Sequence, residues 1–379
     1  MPKLKLLKPG DIISPFIGAA IKGYKFAKFC GSEQPYTVDN NTGVIRIDDN
    51  RISSDYLHAF CQTGLVRWQL DQLTCGGGVP FLGSEYARRI RVPLPPADVQ
   101  ETAIDMLHQA ERRRRTAVEE ARLLLLSVDD VLLDELCIRP IPEPPNTIES
   151  RIFLRSFSNV TGNRLDAHYH RPAFEKLTAE LRRHPHAILG KVVRLSSELW
   201  DQKSVFVDVF PYIEIGSVDL TMGHLTTPSL VPIAEAASRA RMMVRPGDLL
   251  VSLTRPTRRA ICFAPNSLPL AIASNGFSVI RSLDSTRIVA SYLFHVLRSR
   301  ICTAQFDQRS SGGNYPAITE EQLLKIIVPL PRTDEQNRIV KLLDKQYQKA
   351  DMLIEKANIE LENAKLEIEA FILGKERNV

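Results

Sequence analysis

No stretch of this sequence is apolar for long enough to cross a bilayer. The longest aliphatic run, Leu123 to Leu126, lies inside a charged segment, whereas a spanning helix needs about 20 apolar residues. Met1 to Lys8 carries lysines but no following apolar core of the kind a secretory signal requires. Cysteine is scarce and scattered: Cys30, Cys61, Cys75, Cys137, Cys262 and Cys302 contain no Cys-x-x-Cys pair. That excludes zinc-ribbon spacing and suits a reducing, cytoplasmic setting. A Gly-x-x-x-x-Gly-Lys-[Ser/Thr] loop is missing, which argues against a built-in nucleotide-driven motor.

What is present is ordinary globular material, 25% charged and 44% hydrophobic over 379 residues, enough for two or three domains. The net charge of +5 is uneven. Arg151 to Pro331 holds 22 Lys/Arg against 14 Asp/Glu, so the remainder of the chain is slightly acidic. A local cationic excess favours a polyanionic partner, because neutralised phosphates release counterions. An arginine-rich solvated surface is the plainer reading of the same numbers.

The dominant signal is an internal repeat. Val92-Pro93-Leu94-Pro95 recurs as Val328-Pro329-Leu330-Pro331, an offset of 236. At that offset Gly76-Gly77 matches Gly312-Gly313, Pro80 matches Pro316, Tyr56-Leu57 matches Tyr292-Leu293, and Gln100 matches Gln336. One-residue slips align Val44-Ile45-Arg46 with Val279-Ile280-Arg281, and Pro9-Gly10-Asp11 with Pro246-Gly247-Asp248. A duplicated unit follows.

Each copy begins strand-rich. Leu249 to Leu253, Ala260 to Phe263 and Phe277 to Arg281 are short β-prone runs bounded by turn residues, and Ser291 to Arg300 reads as a helix. Pro246-Gly247-Asp248 is turn chemistry with a structural role. Thr319 to Gln322 has the form of a capping box, and Thr333 is expected to cap a long helix with Gln336 at the box position. That helix repeats small or apolar residues at Ile339, Leu343, Ala350, Leu353, Ala357, Leu361, Ala364, Ile368 and Phe371, with Gln346 as a polar exception. The first copy keeps the phase through Ala103, Leu107, Ala110, Arg114, Ala117, Ala121, Leu125, Val128 and Leu132. Steps of four and three make a coiled-coil seam, and its alanines predict a close, antiparallel pairing of the two helices. The expected fold is α+β. Its boundaries fall at 1–95, a long helix at 96–138, a proline-rich linker at 139–150, a larger mixed domain at 151–331 and a second long helix at 332–379.

Gly312-Gly313, Pro316, Ile326 to Pro331, Glu335-Gln336 and Ile339-Val340, followed by a long helix, form a pattern that resembles the specificity subunit of type I restriction-modification enzymes. Arg164-Leu165-Asp166-Ala167-His168-Tyr169 likewise resembles the opening of a target-recognition domain in that family. The resemblance spans the chain. It implies a non-catalytic subunit with two target-recognition domains, each reading half of a split duplex DNA site, held by antiparallel helices that dock two methyltransferase subunits and, through them, a restriction/translocase subunit. S-adenosylmethionine, ATP and Mg would then sit on those partners, with no cofactor or metal in this chain. One departure stands out: about 95 residues precede the Pro-Gly-Asp strand in the second copy and eight in the first. The first recognition domain is therefore expected to be partial. Two alternatives stay open: the recognition subunit of a compact enzyme with fused restriction and methylation, and a coiled-coil assembly protein with degenerate DNA reading.

Chemistry of other kinds finds little support. No Asn-Pro-Pro-Tyr or Asp-Pro-Pro-Tyr motif is present, and Pro144-Pro145-Asn146 belongs to the linker. His168-Tyr169-His170 and His184-Pro185-His186 lack a Cys or acidic partner at ligand spacing. Arg112 to Arg115 reads as a solvated helix face, and Trp68 and Trp200 as core. Candidate DNA contacts are Lys203; Arg255, Arg258 and Arg259, in a loop where solvent or phosphate must satisfy them; Gln308, Arg309, Ser310, Ser311, Asn314 and Tyr315 around the second glycine pair; and Gly76-Gly77 at the first. Arginine to guanine and Asn or Gln to adenine are the expected readout pairings, the rest going to phosphates.

Overall fold

The computed structural model describes residues 6–76, 79–142, 145, 147–157, 160, 164–201 and 205–374. Lys203, Gly77, Pro144 and Asn146, singled out above, lie outside them. The chain divides into two compact units: residues 1–122 with 351–379, and residues 123–350. Two long helices, α4 (Ala97–Glu135) and α10 (Thr333–Ile372), each contribute one end to one unit and the other end to the other.

The first unit opens with β1 (Ile12–Pro15), β2 (Ala27–Lys28) and β3 (Thr42–Ile45), an antiparallel sheet in the order β2-β1-β3 with Ile12 opposite Ile45. Helices α1 (Ser54–Cys61), α2 (Gly64–Leu73) and the short α3 (Ser84–Ala87) follow. Ser53 caps α1 by accepting the Tyr56 N–H. Tyr56, Phe60 and Leu70 pack with Ala103 and Leu107 of α4 and with Ile368 and Ile372 of α10 in one core. Within this unit the helices run antiparallel: Arg114 Nε donates to Asn358 Oδ1 at 2.7 Å, while the Leu107 level meets Ile368. The seam ends on Ile372 and leaves Phe371 exposed, one residue away from the expected position. A strict 3.5-residue repeat drifts against a 3.6-residue helix, so a step of four keeps the face turned inward. Arg114 is exposed and Ala117 half-buried on the same pairing, whereas Ala110 and Ala121 are buried.

The second unit contains α5 (Ile148–Arg151), a single turn inside the linker capped by Thr147, and α6 (Pro172–Leu181). After β4 (His186–Ile188), the strands β5 (Val193–Leu195), β6 (Val209–Ile213), β7 (Ser229–Pro232), β8 (Ala240–Val244), β9 (Leu249–Ser252), β10 (Ile261–Phe263), β11 (Ala271–Ser274) and β12 (Phe277–Leu283) build two four-stranded sheets. Their orders are β10-β9-β12-β5 and β7-β6-β11-β8, with β11–β6 the parallel pair. β9 is buried along its whole length, Ser252 included. Helices α7 (Ala290–Arg298), α8 (Arg300–Arg309) and α9 (Glu320–Leu324) precede β13 (Ile327–Pro329), which pairs with β4. Val128 and Leu132 of α4 and Ile339 and Leu343 of α10 join Tyr292 and Phe306 in the core here, and Arg338 pairs with Glu135 at 2.5 Å. Ala350 and, in the first unit, Ala357 are also buried, while Leu125, Leu353 and Ala364 are half-buried.

Two local expectations change. Thr333 is already helical, and Gln336 is fully buried; its amide donates to Arg287 O and Pro331 O and accepts from the Val289 N–H, so it clamps a loop instead of closing a capping box. Trp200 is buried, but Trp68 is 64% exposed. The buried side chains of α2 are Val66 and Leu70, and a residue two positions from each points away from that face.

Candidate nucleic-acid interface

The duplication is written into hydrogen bonds. In the first unit Arg46 grips both oxygens of Asp11 at 2.7 Å, and in the second Arg281 grips Asp248 at 3.0 and 2.8 Å. Tyr56 Oη donates to Pro93 O as Tyr292 Oη donates to Pro329 O, both at 3.1 Å. Gln100 bonds Arg51 O and Pro95 O as Gln336 bonds Arg287 O and Pro331 O. Gln69 exchanges two bonds with the Arg91 backbone, and Gln305 does the same with Ile327. The glutamine pair at 69 and 305 was not singled out in the sequence, though it obeys the same offset of 236. These bidentate clamps fix the loops on which exposed polar groups stand. The Arg46 guanidinium holds Asp11 below the usual carboxylate range, and that of Arg281 does so for Glu198.

In the second unit this frame presents a tip made from the β9–β10 connection and the glycine loop. Arg255 takes a left-handed conformation, φ 50° and ψ 51°. Its N–H donates to Pro316 O, one guanidinium nitrogen donates to Asn314 O at 3.1 Å, and Cζ lies 4.3 Å over the Tyr315 ring. Stacking and one hydrogen bond orient the guanidinium, and among the described residues its remaining N–H groups have no acceptor. Arg258 and Asn314 are exposed beside it, and Tyr315 is 69% exposed. Gly312 allows the loop to close, with φ 100° and the Tyr315 carbonyl 3.1 Å from where a Cβ would sit.

Other expected contacts are engaged inside the protein. Arg259 bonds Asp129 at 2.9 Å and Thr303 at 3.0 Å, which corrects the expectation that solvent or phosphate must satisfy it. Gln308 donates to Tyr169 O and accepts from Arg309. Burial holds the Arg309 guanidinium below its usual range, and among the described residues its Nε has no partner. Ser310 Oγ donates to Phe306 O, while Ser311 exchanges backbone bonds with Ala317 at the loop base. Arg164, from the motif that resembles a domain opening, donates to Arg309 O and Ser310 O and so caps the last turn of α8. The structure thus brings together Arg255, Arg258, Asn314 and Tyr315, and engages Arg259, Gln308, Arg309 and Ser310 in bonds within the protein. Gly76 holds the corresponding loop of the first unit, with φ 98°. His168 and His170 contact the carbonyls of Asp307 and Arg164.

Two concavities flank the tip region of the second unit. One, of about 760 Å³, is lined by Arg164, Asp307, Ser311, Gly312 and Gln322. The other, of about 390 Å³, has Arg155, Arg171, Arg182, Arg309 and Lys325 on its wall, with Glu175 the one carboxylate there among the described residues. Arg155 and Lys325 are neutralised by Glu175 and Glu321, which leaves Arg171 and Arg182 as exposed cations.

Residues 248–363 match the family model described as the type I restriction modification DNA specificity domain. The specificity subunit of the type I restriction enzyme HindI from Haemophilus influenzae is 24% identical over 122 residues, 32% of this chain and 26% of that protein. The matched stretch thus spans about a quarter of that relative's length. Among solved structures, a chain from a type I R-M system studied for complex assembly and conformational transition aligns over 100% of this chain and 85% of its own, with a TM-score of 0.52 and 18% identity. The HsdS subunit of Thermoanaerobacter tengcongensis aligns over 100% of this chain and 83% of its own at 18% identity, with a TM-score of 0.40.

Proposed function

We propose that the chain is a specificity subunit of a type I restriction-modification system, a reading supported by the match of residues 248–363 to the specificity-domain model, and that it reads duplex DNA through the Arg255–Asn314–Tyr315 tip of its second unit. The observation that carries this reading is the pre-oriented, incompletely bonded Arg255 guanidinium. A planar fork of donors is suited to the O6 and N7 acceptors of guanine in the major groove. Arg258 beside it, and Arg171 and Arg182 in the smaller concavity, supply charge for phosphates without sequence information.

The seam of α4 and α10 supports a second role. These helices leave Met352, Ile359 and Leu366 exposed at intervals of seven, a face away from the buried seam residues. That face suits the docking of methyltransferase subunits, which in turn recruit a restriction/translocase subunit. S-adenosylmethionine, ATP and Mg then act on those partners, and this chain contributes address and not chemistry. Two duplicated frames are what a split site needs, one for each half.

The reading is tested by selecting duplexes from a random library with the chain assembled on its methyltransferase subunits. One enriched sequence is expected, and an unenriched pool refutes it. Arg258→Ala should lower the slope of log affinity against log salt by about one without changing the selected sequence.

A further inference from the structure

The turn that carries the tip is held in an unfavourable shape from both ends. Arg255 and Arg259 flank the short turn Pro256–Arg258, and both are left-handed, at φ 50° and φ 60°. Side chains larger than glycine keep that conformation only where surrounding contacts impose it. Arg255 is fixed by the glycine loop, through Pro316, Asn314 and Tyr315. Arg259 is fixed from another side. Its carbonyl accepts from the buried Arg298 at 3.1 Å. Its Nε donates to Thr303 of α8 at 3.0 Å, and Nη1 donates to Asp129 of α4 at 2.9 Å. Between the two arginines, Arg258 N–H bonds Arg255 O and Arg259 N–H bonds Pro256 O. Those bonds and the ring of the buried Pro256 stiffen the turn, so a shift at Arg259 reaches Arg255.

Asp129 holds two groups at once. One carboxylate oxygen accepts the Arg300 N–H that opens α8, at 3.0 Å, and the other takes Arg259. The first unit repeats the former bond. There Glu369 of α10 accepts the Gly64 N–H that opens α2 at 3.1 Å, and Gly64 precedes Arg300 by the repeat offset of 236. The turn of the first unit also ends alike, with Tyr24 left-handed at φ 46° and its N–H on Ile21 O. Its side-chain contacts go elsewhere: the Tyr24 hydroxyl donates to Asp71, and Arg67 stacks over its ring at 4.8 Å, both on α2. The cap thus belongs to the duplicated frame. Among the described residues, the grip of a long-helix carboxylate on the turn belongs to the unit with Arg255.

We infer that Asp129 is a positioning residue for DNA reading: through Arg259 it fixes the turn whose other end aims the Arg255 guanidinium. This rests on the DNA reading proposed above and deepens it. A fork that must meet two acceptors on one base edge tolerates little displacement, whereas charge facing phosphates tolerates more.

The test uses the full chain assembled on its methyltransferase subunits, with the selected duplex competing against duplexes altered at single base pairs. Asp129→Asn keeps an oxygen for the Arg300 N–H and removes the charge that holds Arg259. It should lower the preference for the base read by Arg255 by about two-fold or more, with the salt slope and the affinity for unselected DNA unchanged. Thr303→Val removes the other acceptor of Arg259 with little change of shape; it should act in the same direction and carries the test if Asp129→Asn fails to fold. In an Arg255→Ala background, Asp129→Asn should have no further effect on base preference, because it acts through that guanidinium. Asp130→Asn, which breaks the neighbouring exposed pair with Arg300, should leave the preference as it is. Undiminished preference in Asp129→Asn, an equal loss with and without Arg255, an equal loss from Asp130→Asn, or a fall in affinity for all duplexes alike would overturn the inference and leave DNA reading standing. A wild-type chain that selects no sequence overturns both.

Discussion

Replacing Gln305 by leucine removes a side chain that stands in for a neighbouring strand. Gln305 is 2% exposed; its amide donates to Ile327 O at 2.8 Å and accepts from Ile327 N–H at 2.8 Å. Leucine is close in volume, so packing changes little, but a buried N–H and a buried C=O lose their partners. Each such group costs about 1–3 kcal/mol, which gives roughly 2–6 kcal/mol for Gln305→Leu. Gln69 makes the same exchange with Arg91 at 3.2 and 2.7 Å. Arg91 is exposed, however, and water can take over both groups. Gln69→Leu should therefore cost about 1 kcal/mol or less. In a Trp68→Phe background the buried Trp200 reports unfolding of the second unit by fluorescence. A midpoint lower by roughly 4–24 °C is expected for Gln305→Leu, at about 2–4 °C per kcal/mol for a unit of this size. Hydrogen exchange around Tyr56 follows the first unit, where Gln69→Leu should change little. Equal losses in the two copies, or a neutral Gln305→Leu, would refute the reasoning that burial decides the cost.

The exposed thiols Cys30 and Cys137 should react rapidly with Ellman's reagent at pH 8, while Cys61 and Cys262, both pushed by burial up to about 12, and the fully buried Cys302 should wait for denaturant; prompt labelling of Cys302 would contradict the packing of α8. Stability of the first unit should fall below about pH 4. The folded carboxyl of Asp11 lies below its ordinary value because of Arg46, so its contribution is complete above the unfolded pKa and is lost as pH drops through the folded one. Asp11→Asn should be less stable at neutral pH with a flatter acid limb, and an acid limb unchanged by the substitution would exclude Asp11 as its source.

Much of this was legible in the sequence because a duplication repeats its constraints. The offset that pairs the two Val-Pro-Leu-Pro segments also pairs Tyr56 with Tyr292 and Gln100 with Gln336, and each pair makes the same hydrogen bonds. The helix seam was visible for a similar reason, since its residues recur at a fixed period along one element. What stayed hidden depends on partners far away in the chain. Arg259 looked as free as Arg255 and Arg258 because Asp129, 130 residues earlier, gives no local sign of pairing with it. Trp68 reads as core in the sequence, and only the phase of α2, set by Val66 and Leu70, turns it outward. The tip itself could be located from its glycines, but the stacking of Arg255 on Tyr315 needs a loop geometry that no spacing rule supplies.

The first unit has a consequence for the order in which the molecule is made. Its core needs Ile368 and Ile372 beside Leu107, and some 260 residues, including the whole of the second unit, are synthesised between them. At ribosomal rates of about 5–20 residues per second, Tyr56, Phe60 and Leu107 wait many seconds with part of their apolar surface uncovered. The second unit can close on itself first. The N-terminal segment of the protein is thus the last to fold, and a nascent chain halted within α10 would carry a finished reader beside an unfinished frame.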